Sequence, residues 1–255
     1  METIYLCAFA AVAGFIDAVV GGGGLIQIPA LFLFLPAPLA ALVPAVLATN
    51  KMSSICGTGI AVVEYGRRVP IHWRSVLPAG GAALVFSFLG ARTVTLLRVD
   101  FLRGLVLVLL ILVALYTFWR KDFGHLHAPK LRLGVERILA VTTGMTIGFY
   151  DGFFGPGTGS FLIFVFIGLF GFDFLSASAN AKVINLATNL SAVAYFAVSG
   201  HILWQYALPM AACNMLGALL GVRLAVLKGN RFVRGLFLAI VTVMILRFGY
   251  EVLLK

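Results

Sequence analysis

The chain has 255 residues, 62% hydrophobic and 11% charged, where ordinary soluble domains carry about 45–50% and about 25%. A water-soluble fold of this size would expose much of that apolar surface, so the composition excludes the soluble classes and points to a bilayer. The net charge of +10 does not mark a nucleic-acid partner. The basic residues sit in short connectors between apolar runs, as on the cytoplasmic side of membrane proteins.

The first predicted element covers about residues 3–20. METIYLCAFAAVAGF lacks a positive n-region and an A-x-A cleavage site, so it reads as a membrane helix rather than a cleaved signal. It runs into GFIDAVVGGGG (14–24). A short apolar segment follows at about 25–37. Longer ones follow at 39–65, containing ATNKMSS (48–54), at 75–97 and at 101–119 (FLRGLVLVLLILVALYTFW). A helix needs roughly 20 apolar residues to cross about 30 Å of hydrocarbon. After the polar loop RKDFGHLHAPKLRLG (120–134) come five further segments, at 135–153, 159–172, 174–199, 205–227 and 232–250. Alternating barrel strands are absent, and backbone groups in lipid must be satisfied within each segment, so all are predicted helices.

The second set repeats the first. Gly14, Phe15, Asp17, Gly21 and Gly23 recur as Gly148, Phe149, Asp151, Gly155 and Gly157. The spacing then shortens across the Pro-rich stretch PAPLAALVP (36–44). Beyond it Lys51, Trp73, Gly90, Arg92 and Arg103 recur as Lys182, Trp204, Gly221, Arg223 and Arg234. The expected organisation is a first membrane repeat at 1–119, a polar cytoplasmic connector at 120–134 and a second repeat at 135–255. The expected fold is all-α and polytopic, with 8–10 membrane segments in two inverted repeats. The short segments 25–37 and 159–172 are expected to be broken or re-entrant. Charge favours inversion over four crossings per copy, which would divide the basic residues less sharply: five crossings per copy gather Arg67, Arg68, Arg74, Arg120, Lys121, Lys130, Arg132, Arg137, Lys228, Arg231 and Arg234 on one face. Arg98, Arg103, Arg247 and Lys255 are left on the other, so both termini face away from the cytoplasm.

Inverted repeats recur in secondary transporters, whose substrates bind near the midplane beside interrupted helices. Ionisable residues inside apolar segments are costly and read as functional. Lys51 and Lys182 stand at equivalent positions, and two ammonium groups near a pseudo-two-fold axis suit an oxyanion. Asn50, Ser53, Ser54, Asn180, Asn185, Thr188 and Asn189 can add hydrogen bonds. Asp17 and Asp151 can pair with the lysines, relay protons or cap broken helices. The glycine runs, including Gly22, Gly23, Gly157 and Thr158, allow sharp turns and close approach of backbone to a ligand. A half-helix starting there would aim its N–H groups at an anion. The structural alternatives are that the lysines only staple the bundle through aspartates, and that the glycines only let helices pack closely. Cys7, Cys56 and Cys213 have no metal spacing, and His125 and His127 lie in the polar connector without further ligands, so neither a metal site nor a cofactor is expected. No G-x-S-x-G or H-E-x-x-H occurs, so an enzyme is not expected.

These motifs resemble the TauE/SafE family of sulfite-exporter-type membrane permeases, and within it the YfcA-like branch. The matching elements are G-F-x-D-x-x-x-G-G-G-G at 14–24, A-T-N-K at 48–51, G-F-x-D-G-x-x-G-P-G-T-G at 148–159 and A-K-V-x-N-x-x-x-N-L at 181–190. The resemblance covers essentially the whole chain. It implies a multi-pass permease of the cell (inner) membrane for sulfite or small organosulfur anions. It also implies site positions at Asp17, glycines 21–24, Asn50, Lys51, Asp151, loop 155–159, Lys182, Asn185 and Asn189. One departure is Ala181, where the first copy has Asn50. The function expected is therefore a secondary transporter of small anions working by alternating access. A non-catalytic membrane assembly or anchoring protein is the alternative. The expected partners are a small anionic substrate and the lipid bilayer, with no nucleic acid, and a homodimer stays open.

Overall fold

The computed structural model describes residues 1–95 and 131–253. The expected segment 101–119, most of the connector 120–134 with His125 and His127, and Arg98 and Arg103 lie outside the described residues.

The described chain is helical: α1 (Glu2–Val20), α2 (Gly24–Phe34), α3 (Ala37–Ala40), α4 (Val43–Gly66), α5 (Trp73–Val94), α6 (Leu133–Phe153), α7 (Thr158–Gly168), α8 (Phe174–Val198) and α9 (Trp204–Leu253). α9 breaks at Gly229 (φ 67°, ψ −163°). Five stretches are long and apolar enough to cross a membrane: α1, α4, α5, α8 and Trp204–Ile240 of α9. α6 has a comparable 21 residues but carries Glu136, Arg137 and Asp151. Local chemistry sets the boundaries. Gly21 closes α1 in the left-handed region at φ 76°, which glycine adopts without a Cβ penalty. Asp173 caps α8, its side chain accepting from the Ser176 N–H at 2.7 Å. Pro44 sits in the first turn of α4, where its missing N–H costs nothing.

α2 and α7 are short, at 11 residues each, about 16 Å of helix. α2 runs back along α1, so that Phe34 at its end stacks on Tyr5 and lies tilted against Phe9 near the start of α1, with ring centroids 5.2 and 5.6 Å apart. The α1–α2 unit is thus a helical hairpin with its tip at Gly21–Gly24. The α6–α7 unit has its tip at Gly155–Gly157.

Close contacts fix the helix directions. Val46 near the start of α4 shares a buried cluster with Leu6 and Ala10 of α1, and Tyr65 near its end donates to the Ala18 carbonyl at 3.1 Å. α4 therefore runs with α1. α5 returns after the short turn at 67–72, since Val76 clusters with Tyr65 while Ala91 and Val94 cluster with Leu6. α6 runs with α5: Gly144, Gly148 and Gly152 lie against the backbone of Ala79, Ala83 and Ser87 in order. α6 is consequently antiparallel to α1, and the two hairpins enter from opposite faces. Packing repeats under exchange of the copies. Gly14 of α1 abuts Asn214 of α9 as Gly148 of α6 abuts Ala83 of α5, and Gly221 meets the Phe15 carbonyl as Gly90 meets that of Phe149. A side chain larger than hydrogen at these positions would collide with the neighbouring backbone, the small-residue logic of membrane helix packing.

One face of the bundle accordingly collects Arg67, Arg68 and Arg74 with Arg132 and Arg137 at the start of α6 and Lys228 before the break in α9. The N-terminus lies at the opposite face. In a background with Cys7, Cys56 and Cys213 changed to alanine, Ser199→Cys is expected to react with a membrane-impermeant maleimide in intact cells. Its repeat-equivalent Arg68→Cys is expected to react only after permeabilisation. Equal labelling would contradict the opposed placement of the two loops.

Candidate functional site

The tips of the two hairpins meet. Gly21 lies against the backbone of Gly159 and Ser160 so closely that a Cβ would fall 2.2 Å from the Gly159 carbonyl carbon. Breaking α1 there strands its last carbonyls away from water, where each needs a donor. Three other helices supply them: Tyr65 bonds the Ala18 carbonyl at 3.1 Å, Ser178 the Val19 carbonyl at 2.9 Å and Ser160 the Val20 carbonyl at 2.7 Å. These three residues escaped the sequence reading. A single hydroxyl in an apolar helix is common, and nothing in the pattern says which carbonyl it reaches.

The four central charges form two crossed pairs. Lys51 of the first copy lies 2.7 Å from the Asp151 carboxylate of the second, with side chains 5% and 3% exposed. Lys182 of the second copy donates to Asp17 of the first at 2.7 Å, with side chains 0% and 17% exposed. Each lysine is thus paired with a carboxylate, the arrangement the sequence left open beside free ammonium groups, and each aspartate serves the lysine of the opposite copy. The centre is electrically balanced, as burial of charge requires.

The glycine tips seat these pairs. A Cβ on Gly155 (φ 89°) would come within 3.2 Å of the Lys51 Nζ and of the Asp151 carboxylate. A Cβ on Gly23 would come within 2.6 Å of the Asp17 Cβ. The Gly22 carbonyl accepts from the Leu25 N–H at 3.1 Å, opening α2. Gly157, at φ 82°, faces Leu25 of the other copy and Phe161 of its own helix. Thr158 is buried and turns its hydroxyl back on the Gly155 carbonyl at 2.7 Å, bracing the loop. Asn50 is buried beside Gly24 and Pro156. Asn185 and Asn189 are buried on α8, Asn189 reaching Thr58 at 3.5 Å. Asn180 does not join the lysines: it accepts from the His72 N–H at 2.7 Å and donates to the Ser176 carbonyl, tying α8 to the α4–α5 turn. A cavity of about 440 Å³ at the basic face, lined by His72, Arg74, Glu136 and Phe172 among others, shares no residue with the pairs. Among the described residues no cluster of His, Cys, Asp and Glu suits a metal ion.

The sulfite exporter TauE/SafE family model matches residues 6–248. This chain belongs to that family. It is 35% identical over 237 residues to the probable membrane transporter protein ORF9 of a Sinorhizobium species, covering 93% of this chain and 87% of that protein. The probable membrane transporter protein YfcA of Escherichia coli K12 is 33% identical over 243 residues, covering 95% of this chain and 87% of YfcA. A probable membrane transporter protein of Haemophilus influenzae is 34% identical over 244 residues, covering 94% and 91%. No solved structure matches. The chain is thus a multi-pass membrane transporter and not an enzyme, with inner-membrane placement consistent with its bacterial relatives.

Two stability outcomes follow. Gly21→Ala combines a left-handed backbone with a backbone collision and is expected to cost roughly 2–4 kcal/mol. Gly59→Ala, inside α4 with nothing near its added methyl, is expected to leave the melting temperature unchanged or slightly raised. Lys51→Ala strands a buried carboxylate at a cost of about 3–5 kcal/mol, and adding Asp151→Ala is expected to recover much of it. Thermal unfolding in detergent measures both.

Proposed function

We propose that this chain carries small oxyanions, sulfite or organosulfonates, across the membrane by alternating access, and that the crossed Lys–Asp pairs at the hairpin tips form its site. The observation that carries this reading is the placement of two ion pairs, each joining opposite copies at 2.7 Å, at the breaks of two half-helices. A neutral centre in low dielectric resists a lone anion but accepts an anion together with a proton. Protonating Asp17 releases the Lys182 ammonium, and the substrate takes the place of the carboxylate. Asp17 suits that step because its side chain is 17% exposed against 3% for Asp151. The N–H groups opening α2 and α7 add a positive dipole end from each side. The family description supports sulfur oxyanions as the class.

The same short distances favour a second reading, in which the pairs only hold the copies together. The Lys51→Ala/Asp151→Ala double variant separates the two, since it removes the pair without leaving a buried charge. In proteoliposomes the double variant is expected to fold yet lose sulfite and sulfonate flux. Wild-type flux in a folded double variant would reduce the pair to a staple. Sulfite at about 100 times its dissociation constant should stabilise the wild-type protein by roughly 2.7 kcal/mol, and Lys182→Ala should abolish that shift.

A further inference from the structure

The seam between α1 and the first half of α9 holds a pair of thiols well away from the charged centre. The two helices touch backbone to backbone. A Cβ on Gly217 would fall 1.9 Å from the Ala11 carbonyl oxygen, and one on Gly221 would fall 2.6 Å from that of Phe15. These contacts advance by four residues on both helices, so α1 and α9 run side by side in the same direction. One turn back in the same register, Cys213 of α9 stands opposite Cys7 of α1. Cys213 packs against the buried cluster that contains Leu6 and Ala10, on either side of Cys7 along α1. The two cysteine side chains interact directly. Helices in backbone contact bring facing Cα atoms towards the roughly 4.4–6.8 Å that a disulfide spans. Both cysteines are unlinked and half-buried. Cys56 is set apart on α4, its thiol turned to the Met52 carbonyl of its own helix at 3.7 Å. The repeat-equivalents of Cys7 and Cys213 are Val141 and Ala82, so the matching seam between α6 and α5 has no such pair. Internal symmetry therefore does not account for the thiols. Close packing does not either, because small apolar residues serve it equally well.

We infer that Cys7 and Cys213 are a redox modification site, at which a disulfide ties the first copy to the second in the outer half of the membrane. Cys7 stands five residues after Glu2, about 8 Å along α1 from the face opposite the basic one. That face is turned away from the cytoplasm, towards the compartment where disulfides persist. Both sulfurs lie among apolar side chains, so the oxidant that suits them is a small apolar disulfide. One cysteine attacks it, displaces the first leaving thiol and forms a mixed disulfide. The other cysteine attacks that bond and displaces the second leaving thiol. Two cysteine S–H bonds and the oxidant's S–S bond break. The Cys7–Cys213 bond and two S–H bonds on the leaving thiols form, and two electrons pass from the cysteines to the oxidant. The seam is already closed at Gly217 and Gly221, so the bond needs no movement of either helix.

The test treats the purified full chain in detergent with dithiodipyridine, an apolar disulfide, and reads intact mass and a peptide map. The wild type is expected to gain a single thiopyridyl adduct, at Cys56, together with a Cys7–Cys213 cross-linked peptide. Cys7→Ser is expected to gain two adducts, at Cys56 and Cys213. In a Cys56→Ala background, oxidation is expected to raise the melting temperature by roughly 5 °C or more, and dithiothreitol to reverse the rise. Cys7→Ser in that background is expected to show no rise. Adducts at all three cysteines of the wild type, or a cross-link to Cys56, overturn the assignment. An oxidised protein that melts no higher than the reduced one overturns it too. Neither readout needs a transported substrate, so the outcome is independent of the function proposed above.

Discussion

An ammonium group buried among apolar helices must have a counter-charge, and in this protein each finds it in the other half of the chain. Lys51 meets Asp151 and Lys182 meets Asp17, both at 2.7 Å. A pair within one copy would neutralise charge equally well. Crossed pairs do more, because they set the register of one copy against the other at the level where the helices break. The rest of the arrangement follows from this demand. The hairpin tips must reach the centre, so α2 and α7 are half-length. The tips must pass each other closely, so they are built of glycine. The carbonyls exposed by the break in α1 must be bonded, so Tyr65, Ser160 and Ser178 converge on them.

Much of this was legible in the sequence. The repeat was plain because Asp, Gly and Lys recur in matching order within apolar surroundings, where chance polar residues are few. The inverted relation was legible in the loops, since Arg67 and Arg68 in one copy face a partner loop around Ser199 with no basic residue. The short second segments were legible by length alone. Several things were hidden. Which aspartate serves which lysine depends on how the copies interlock, and spacing along the chain carries no such information. Gln27 and Asn214 stand alone in apolar runs outside the two lysine motifs, and nothing along the chain shows that they meet. Asn180 looked equivalent to its neighbours in ANAKVIN, yet it faces the His72 N–H, because one position along a helix turns a side chain by about 100°.

The two halves share a skeleton and differ in lining. Backbone contacts such as Gly14 on Asn214 and Gly148 on Ala83 repeat almost without change, because steric fit between helices leaves little freedom. Side chains near the tips are under no such restraint. The first copy places Gln27, Asn50 and Ser53 where the second places Phe161, Ala181 and Ile184. Under the alternating access proposed above, the shared skeleton lets the two halves exchange conformations, so that one state becomes the other by a two-fold rotation.

The crossed pairing also bears on how the protein is made. Asp17 leaves the ribosome 165 residues ahead of Lys182. At roughly 5–20 residues per second that interval is on the order of ten seconds or more. During it, the emerging first half holds an aspartate and a lysine whose partners do not yet exist. The nascent helices must wait at the insertion machinery, or beside each other in a provisional arrangement, until the later half arrives. Half of this molecule expressed alone would carry two orphaned charges, and co-expression of both halves is the condition under which each would be completed.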